Sequence, residues 1–328
     1  MPCSLRFREG AFKIVQITDT HWTTGGEEDQ RTRQLIEMAL DREAPDLVVL
    51  TGDIIFGKDC PDPARALREC LAPVAGSGIP WAMVFGNHDD EGSLDSAQLL
   101  EVQQSLPGCL TQAGPPEVPG QGNYVLSVLG SDGLPAAHLW FFYSGNTAPS
   151  GMGDWPWLSW RQVAWYHETS DLLARTFGRA ARSASASPSP LPAVLHNPRH
   201  PPSVHPASAP MPLPALAFLH IPLPEFELVW SMGACRGEKH EEVCSGVMNS
   251  GLFAAMLEAG DVVGVFCGHE HINDFEGDLY GIRLAYGRGS GYGTYGKEGF
   301  QRGVRGIRLL EGSRSFETWV RLADGSVQ

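Results

Sequence analysis

The sequence predicts an α/β fold whose strands end in polar segments brought to one place. Three observations carry this. Short apolar runs at 12–17, 47–50, 81–85, 215–219 and 262–267 read as strands, and each is followed at once by a polar segment rich in Asp, Asn or His. In the first half these runs alternate with helix-like stretches, the pattern of strand–helix–strand units with parallel pairing and right-handed crossovers. From Tyr124 onward the pattern is richer in strands.

The elements follow in chain order. Residues 27–43 put Leu35, Ile36, Ala39 and Leu40 on one helical face, and Glu27, Glu28 and Asp29 suit the positive end of the helix dipole. Pro45 stops that helix. Residues 64–75 and 93–106 read as further helices. Residues 124–129 and 138–143 read as two strands of a hairpin. Residues 157–177 read as a helix with Trp157, Trp160 and Ala164 along one stripe, and 246–259 as another that feeds the strand at 262–267. The tail reads as three strands, at 282–286, 304–310 and 316–322, with glycines punctuating 287–299. The segment 180–214 is dense in Pro, Ser and Ala; such composition buries too little surface to offset chain entropy, so a disordered insertion within one domain spanning 1–328 is expected. Its His196, His200 and His205 read as solvated.

Bulk properties narrow the function. The 328 residues are 42% hydrophobic, enough for a sizeable core. A net charge of −14 argues against nucleic-acid binding, which needs basic surface. A phosphate substrate stays open, because bound cations reverse the local charge of an acidic site. The seven cysteines are dispersed and odd in number, unlike a disulfide framework; Cys267 reads as a buried thiol, and Cys235 and Cys244 either pair or stay reduced. No apolar stretch reaches membrane-spanning length. Residues 1–10 carry Arg6 and Arg8 and run straight into a strand, so no signal peptide is read and a cytoplasmic location is expected.

The segments after the five runs carry Asp19 and His21, Asp53, Asn87 with His88 and Asp89, His220, and His269 with His271. Ligands in open α/β sheets collect beyond the carboxyl ends of strands. So many N and O donors exceed the roughly four that a tetrahedral ion takes, and suit a metal pair. Mixed imidazole and carboxylate donors point to Fe, Zn or Mn. The Asp53 carboxylate has two oxygens and can bridge. Two cations roughly 3.5–4 Å apart can hold a bridging hydroxide and stabilise an in-line displacement at phosphorus. His88 is placed to protonate the leaving group, with Asp89 either orienting it or capping the next helix.

In the order Asp-x-His, Gly-Asp, Gly-Asn-His-Asp, His, Gly-His-x-His, the motifs resemble those of the calcineurin-like metallophosphoesterase superfamily. The strings at 249–253, 268–275 and 291–293 are similar to its single-domain, purple-acid-phosphatase-like branch. The resemblance implies a four-layer sandwich of two mixed sheets flanked by helices. It implies one metal on Asp19, His21, Asp53 and His271, a second on Asp53, Asn87, His220 and His269, and His88 at the phosphate. It also marks departures. Purple enzymes place a ligand Tyr three residues after the bridging Asp, where this chain has Phe56, so no tyrosinate-to-iron colour is expected. Protein phosphatases of the superfamily place Arg where this chain has Phe85.

Neighbouring residues divide. Glu270 is expected at the surface, and Asn273 and Asp274 either support the ligands or form a turn. Trp22 lines the mouth or packs in the core; Trp155, Trp157, Trp160 and Trp165 are expected to pack a helix. Tyr292 and Tyr295 lie in a loop able to rim the site. His138, His167 and His240 are expected to be ordinary structural or surface residues. The expectation is a dinuclear phosphoesterase acting on small phosphomonoesters. A phosphodiesterase for nucleotides or lipid headgroups and a non-catalytic scaffold are the alternatives. A nuclease lacks its basic track.

Overall fold

Alternation of side chains along the strands decides the layers, because successive residues of a strand face opposite sides. The computed structural model describes residues 4–178 and 211–328; the proposed insertion lies almost wholly outside them. Strands β1 (Ala11–Ile17), β2 (Leu47–Thr51) and β3 (Trp81–Val84) pair in parallel. Further on come β4 (Tyr124–Leu129), β5 (Pro135–Phe141), β6 (Ala215–Phe218), β7 (Val262–Cys267), β8 (Glu276–Leu279), β9 (Ile282–Tyr286), β10 (Gly303–Leu310) and β11 (Phe316–Leu322). They form a five-stranded sheet ordered β11-β10-β1-β2-β3 and a six-stranded sheet ordered β4-β5-β6-β7-β9-β8. Both are mixed: β5, β6, β7 and β9 run parallel, whereas β10, β11, β4 and β8 join antiparallel.

Strands β2, β3, β6 and β7 are apolar on both faces, as strands covered on both sides must be. Phe12, Ile14, Leu47, Val49, Ala82 and Val84 of the first sheet meet Leu139, Phe141, Leu216, Phe218 and Phe266 of the second in the central layer. The other face of the first sheet, with Val15, Ile17, Val48, Leu50, Trp81 and Met83, is covered by helices α1 (Glu27–Glu43), α2 (Pro63–Gly76) and α3 (Ser96–Gln104). The outer face of the second, with Trp140, Ala217, Val265 and Cys267, packs on α4 (Trp160–Phe177), α5 (Glu225–Ser231) and α6 (Leu252–Ala259). This is the four-layer arrangement. No described helix is long and apolar enough to cross a membrane.

Three helices begin later than their apolar patterns suggest; the capping box of Asp95 with Gln98 starts α3 at Ser96. The capping box of Ser159 with Gln162 starts α4 at Trp160, so Trp155 and Trp157 precede it. Gly251, in a left-handed conformation, precedes the first residue of α6. Trp160 itself is 72% exposed, contrary to the packing role expected of it. Cys60, Cys70, Cys109, Cys235, Cys244 and Cys267 are all free.

Candidate metal centre

The ends of β1, β2, β3, β6 and β7 bring their polar segments into one buried nest. Oxygen and nitrogen atoms of Asp19, His21 and His271 cluster within 4.8 Å of one another, and so do those of Asp53, His220 and His269. Asp53 ties the clusters together: its Oδ2 lies 3.2 Å from His220 Nε2 and 3.5 Å from His21 Nε2. Asn87 Oδ1 is 3.1 Å from His220 Nε2, and the Nε2 atoms of His21 and His271 approach to 3.1 Å. His269 Nε2 is buried without a protein partner. Converging nitrogens and an orphaned buried ring atom form a donor set that fits cations, which supply the missing partner.

The turns into this nest are sharp. Seven described non-glycine residues have positive φ, and Asp19, His21, Asp53 and His269 are four of them. Left-handed backbone is costly for such residues and concentrates at functional sites. Glycines allow the remaining close approaches. A Cβ on Gly86 would sit 2.1 Å from Asp53 Oδ1, and one on Gly268 would sit 2.0 Å from Thr18 Oγ1.

Burial sets the electrostatics. It pushes His21 down to about 4, His269 down to about 3 and His271 well below the ordinary imidazole value. Their rings are therefore neutral, the form that ligates a metal. Burial pushes Asp19 up to about 7. Burial opposes both charges of the Asp53–His220 pair, yet their attraction prevails, holding Asp53 well below the ordinary carboxylate value and raising His220 to about 10, so a cation bound at His220 would displace a proton. His220 Nδ1 lies 2.7 Å from Thr51 O. A carbonyl only accepts, so that nitrogen carries a proton and Nε2 faces the nest. Thr294 Oγ1, 2.9 Å from His271 Nδ1, holds that ring through a hydroxyl that can donate or accept.

Asp89 neither orients His88 nor caps a helix. Its carboxylate accepts the backbone N–H groups of Asp53, Ile54, Ile55 and Gly86, clamping the β2 and β3 loops together. His88 pairs instead with Glu91, Nδ1 to Oε2 at 2.7 Å. The sequence reading missed Glu91; its one signal was a third acid in Asp89-Asp90-Glu91, three residues after His88.

Other neighbours resolve as follows. Glu270 is buried rather than superficial: it turns under the strap at 236–244, accepts the Cys244 N–H, and burial raises it to about 8. Asn273 holds the same strap by accepting from His240 and Glu241, and Asp274 accepts from Glu238 and pairs with Arg288 at 2.5 Å. Trp22 is core. Trp155 precedes α4 and stands edge-on to His269, with ring centroids 4.3 Å apart. Tyr295 stacks on His271 at 4.1 Å, while Tyr292 lies under Arg31 of α1. Phe56 packs against His21 and His88. His138 is a buried structural residue bonded to Ser127.

Comparison with known proteins agrees with this geometry. The family model described as Calcineurin-like phosphoesterase matches residues 12–273. Over 98% of this chain and 85% of its own length, "Probable inactive purple acid phosphatase 29" of Arabidopsis thaliana is 33% identical. "Phosphatase DCR2" of Saccharomyces cerevisiae is 30% identical over 96% of this chain and 54% of its own length. In structure, the chain is similar to a dimetal phosphatase from Danio rerio, with a TM-score of 0.56 and 14% identity over 94% of this chain and 98% of that one; at that identity the likeness speaks for the fold.

Proposed function

The chain belongs to the calcineurin-like phosphoesterase family, and from that premise we propose that it is an active dinuclear hydrolase of small phosphomonoesters. One observation carries the reading: the Asp53 carboxylate spans two buried donor clusters. Asp19, His21, Asp53 and His271 would hold one cation, and Asp53, Asn87, His220 and His269 the other. Fe, Zn or Mn suits these donors, and Phe56 in place of a ligand Tyr speaks against the purple type.

When bound, the two ions supply a nucleophile from water at neutral pH and offset the charge on the phosphoryl oxygens. The chain does the rest. Burial keeps three imidazoles neutral for ligation. The Thr51 carbonyl and the Thr294 hydroxyl fix the rings of His220 and His271. His88, at the partly open rim, gives a proton to the departing oxygen. The Arabidopsis relative is called inactive by its name; here every donor and His88 are present, which favours catalysis over a scaffold. A net charge of −14 favours a small ester over nucleic acid.

The test is elemental analysis of purified protein, then turnover of a nitrophenyl monoester and its bis-ester with Mn or Zn. About two ions per chain and faster monoester hydrolysis, greatly reduced in His88→Ala, are expected. Faster bis-ester hydrolysis would favour a phosphodiesterase. Fewer than about one ion per chain with no turnover would favour a scaffold.

A further inference from the structure

We propose that Glu91 is the positioning residue of His88; this rests on the hydrolase reading above. Three consecutive acids follow His88, and each is engaged differently. Asp89 is consumed by four backbone amides. Asp90 accepts from Asn146 Nδ2 at 2.7 Å. Only Glu91 turns back to the imidazole.

The rest of His88 is already pinned. Its N–H donates to Asp53 Oδ1 at 2.9 Å, and its carbonyl accepts from Gly57 N–H at 2.9 Å. The ring lies edge-on to Phe56, with centroids 4.9 Å apart, and 5.4 Å from the His21 ring. What remains is rotation of the ring about its own axis, which decides which nitrogen meets the substrate. Glu91 settles it. A carboxylate only accepts, so Nδ1 carries a proton directed at Oε2 and Nε2 is left for the substrate.

The pair has little structural purpose. Its side chains are 25% and 33% exposed, and ion pairs in such places add little to stability. In the proposed step, a water gives one proton to solvent and its oxygen forms the new P–O bond as the P–O bond to the leaving group breaks. The departing oxygen keeps the electron pair and takes the proton from His88 Nε2. The ring ends neutral, keeping its Nδ1 proton and donating it to Glu91 Oε2, and regains the other proton from solvent.

A leaving group that departs unaided needs this proton less. Glu91→Ala and Glu91→Gln should therefore be compared with wild type in the Mn-loaded protein, on a nitrophenyl and an alkyl monoester. The preference for nitrophenyl over alkyl ester in kcat should rise about tenfold or more, a modest part of what acid–base groups contribute, with metal content unchanged. Glu91→Asp should recover part of the alkyl activity. Equal losses on both esters, or none on either, would overturn the proposal. Wild-type protein inert on both would instead sink the hydrolase reading. The nitrogen NMR signals of the His88 ring, which need no turnover, test Glu91 separately. A protonated Nδ1 lost in Glu91→Ala supports the role, and identical spectra overturn it.

Discussion

Gly86→Ala tests how tightly the two central loops must approach. The added Cβ would lie 2.1 Å from Asp53 Oδ1 and 2.4 Å from Asp53 N. The obstacle is the bridging carboxylate and its own backbone, so no flexible side-chain tip can give way. Ordinary contact needs more than 3 Å, so the β2 and β3 loops must part by roughly 1 Å. That displaces Asp53 from His220 and His21, with which it makes its 3.2 Å and 3.5 Å approaches. It also stretches the Asp89 clamp, which joins the same two loops. Overpacking of this kind costs about 1–3 kcal/mol, and a 1 Å misplacement in a reacting geometry costs about 100-fold in rate. The assay pairs urea denaturation of metal-free protein with ion content and kcat/KM of metal-loaded protein. The variant should stay folded, lose about 1–3 kcal/mol, hold fewer ions than wild type, and lose about 100-fold or more in kcat/KM. Wild-type ion content with undiminished turnover would refute the argument that the loops meet through a glycine-sized gap.

Three other outcomes are expected. Asp89→Ala leaves four buried amides without an acceptor, at about 1–3 kcal/mol each, so metal-free protein should lose at least about 4 kcal/mol; a loss below about 1 kcal/mol by denaturation would contradict the clamp. Burial pushes His138 down from 6.5 to about 4, so the folded protein holds it neutral while the unfolded chain protonates it. Its contribution is therefore intact above pH 6.5 and lost as the pH falls toward 4, by about 3 kcal/mol in all; His138→Gln should flatten that part of the stability profile, and an unchanged profile would contradict the assignment. Iron-loaded wild-type protein should show no tyrosinate band in its visible spectrum, because Phe56 offers no ligand atom; a band in the purple region would contradict the donor set.

The legible parts of this chain were those where one local pattern carried both structure and chemistry. Runs such as 47–50 and 262–267 are apolar throughout because both faces of their strands are covered, and ligating residues follow immediately where the strands end. Strand β8 escaped notice because Glu276-Gly277-Asp278-Leu279 has neither apolar run nor strong strand formers; its pairing with β9 makes it a strand. Helix α5 is a short segment opening after Pro222 and Pro224, residues that read as a break. The direction of Asp89 depends on the loop after β2 lying against the loop after β3, a tertiary contact that nothing within 86–91 announces, whereas Glu91 turns back to His88 inside its own loop. Glu270 looked superficial because its burial depends on the strap at 236–244, which is remote in sequence.

The most direct test is anomalous diffraction from crystals grown with Mn or Zn. The account predicts two peaks roughly 3.5–4 Å apart, one against Asp19, His21 and His271 and the other against Asn87, His220 and His269, with Asp53 touching both. A single peak, or two peaks with Asp53 touching neither, would contradict it.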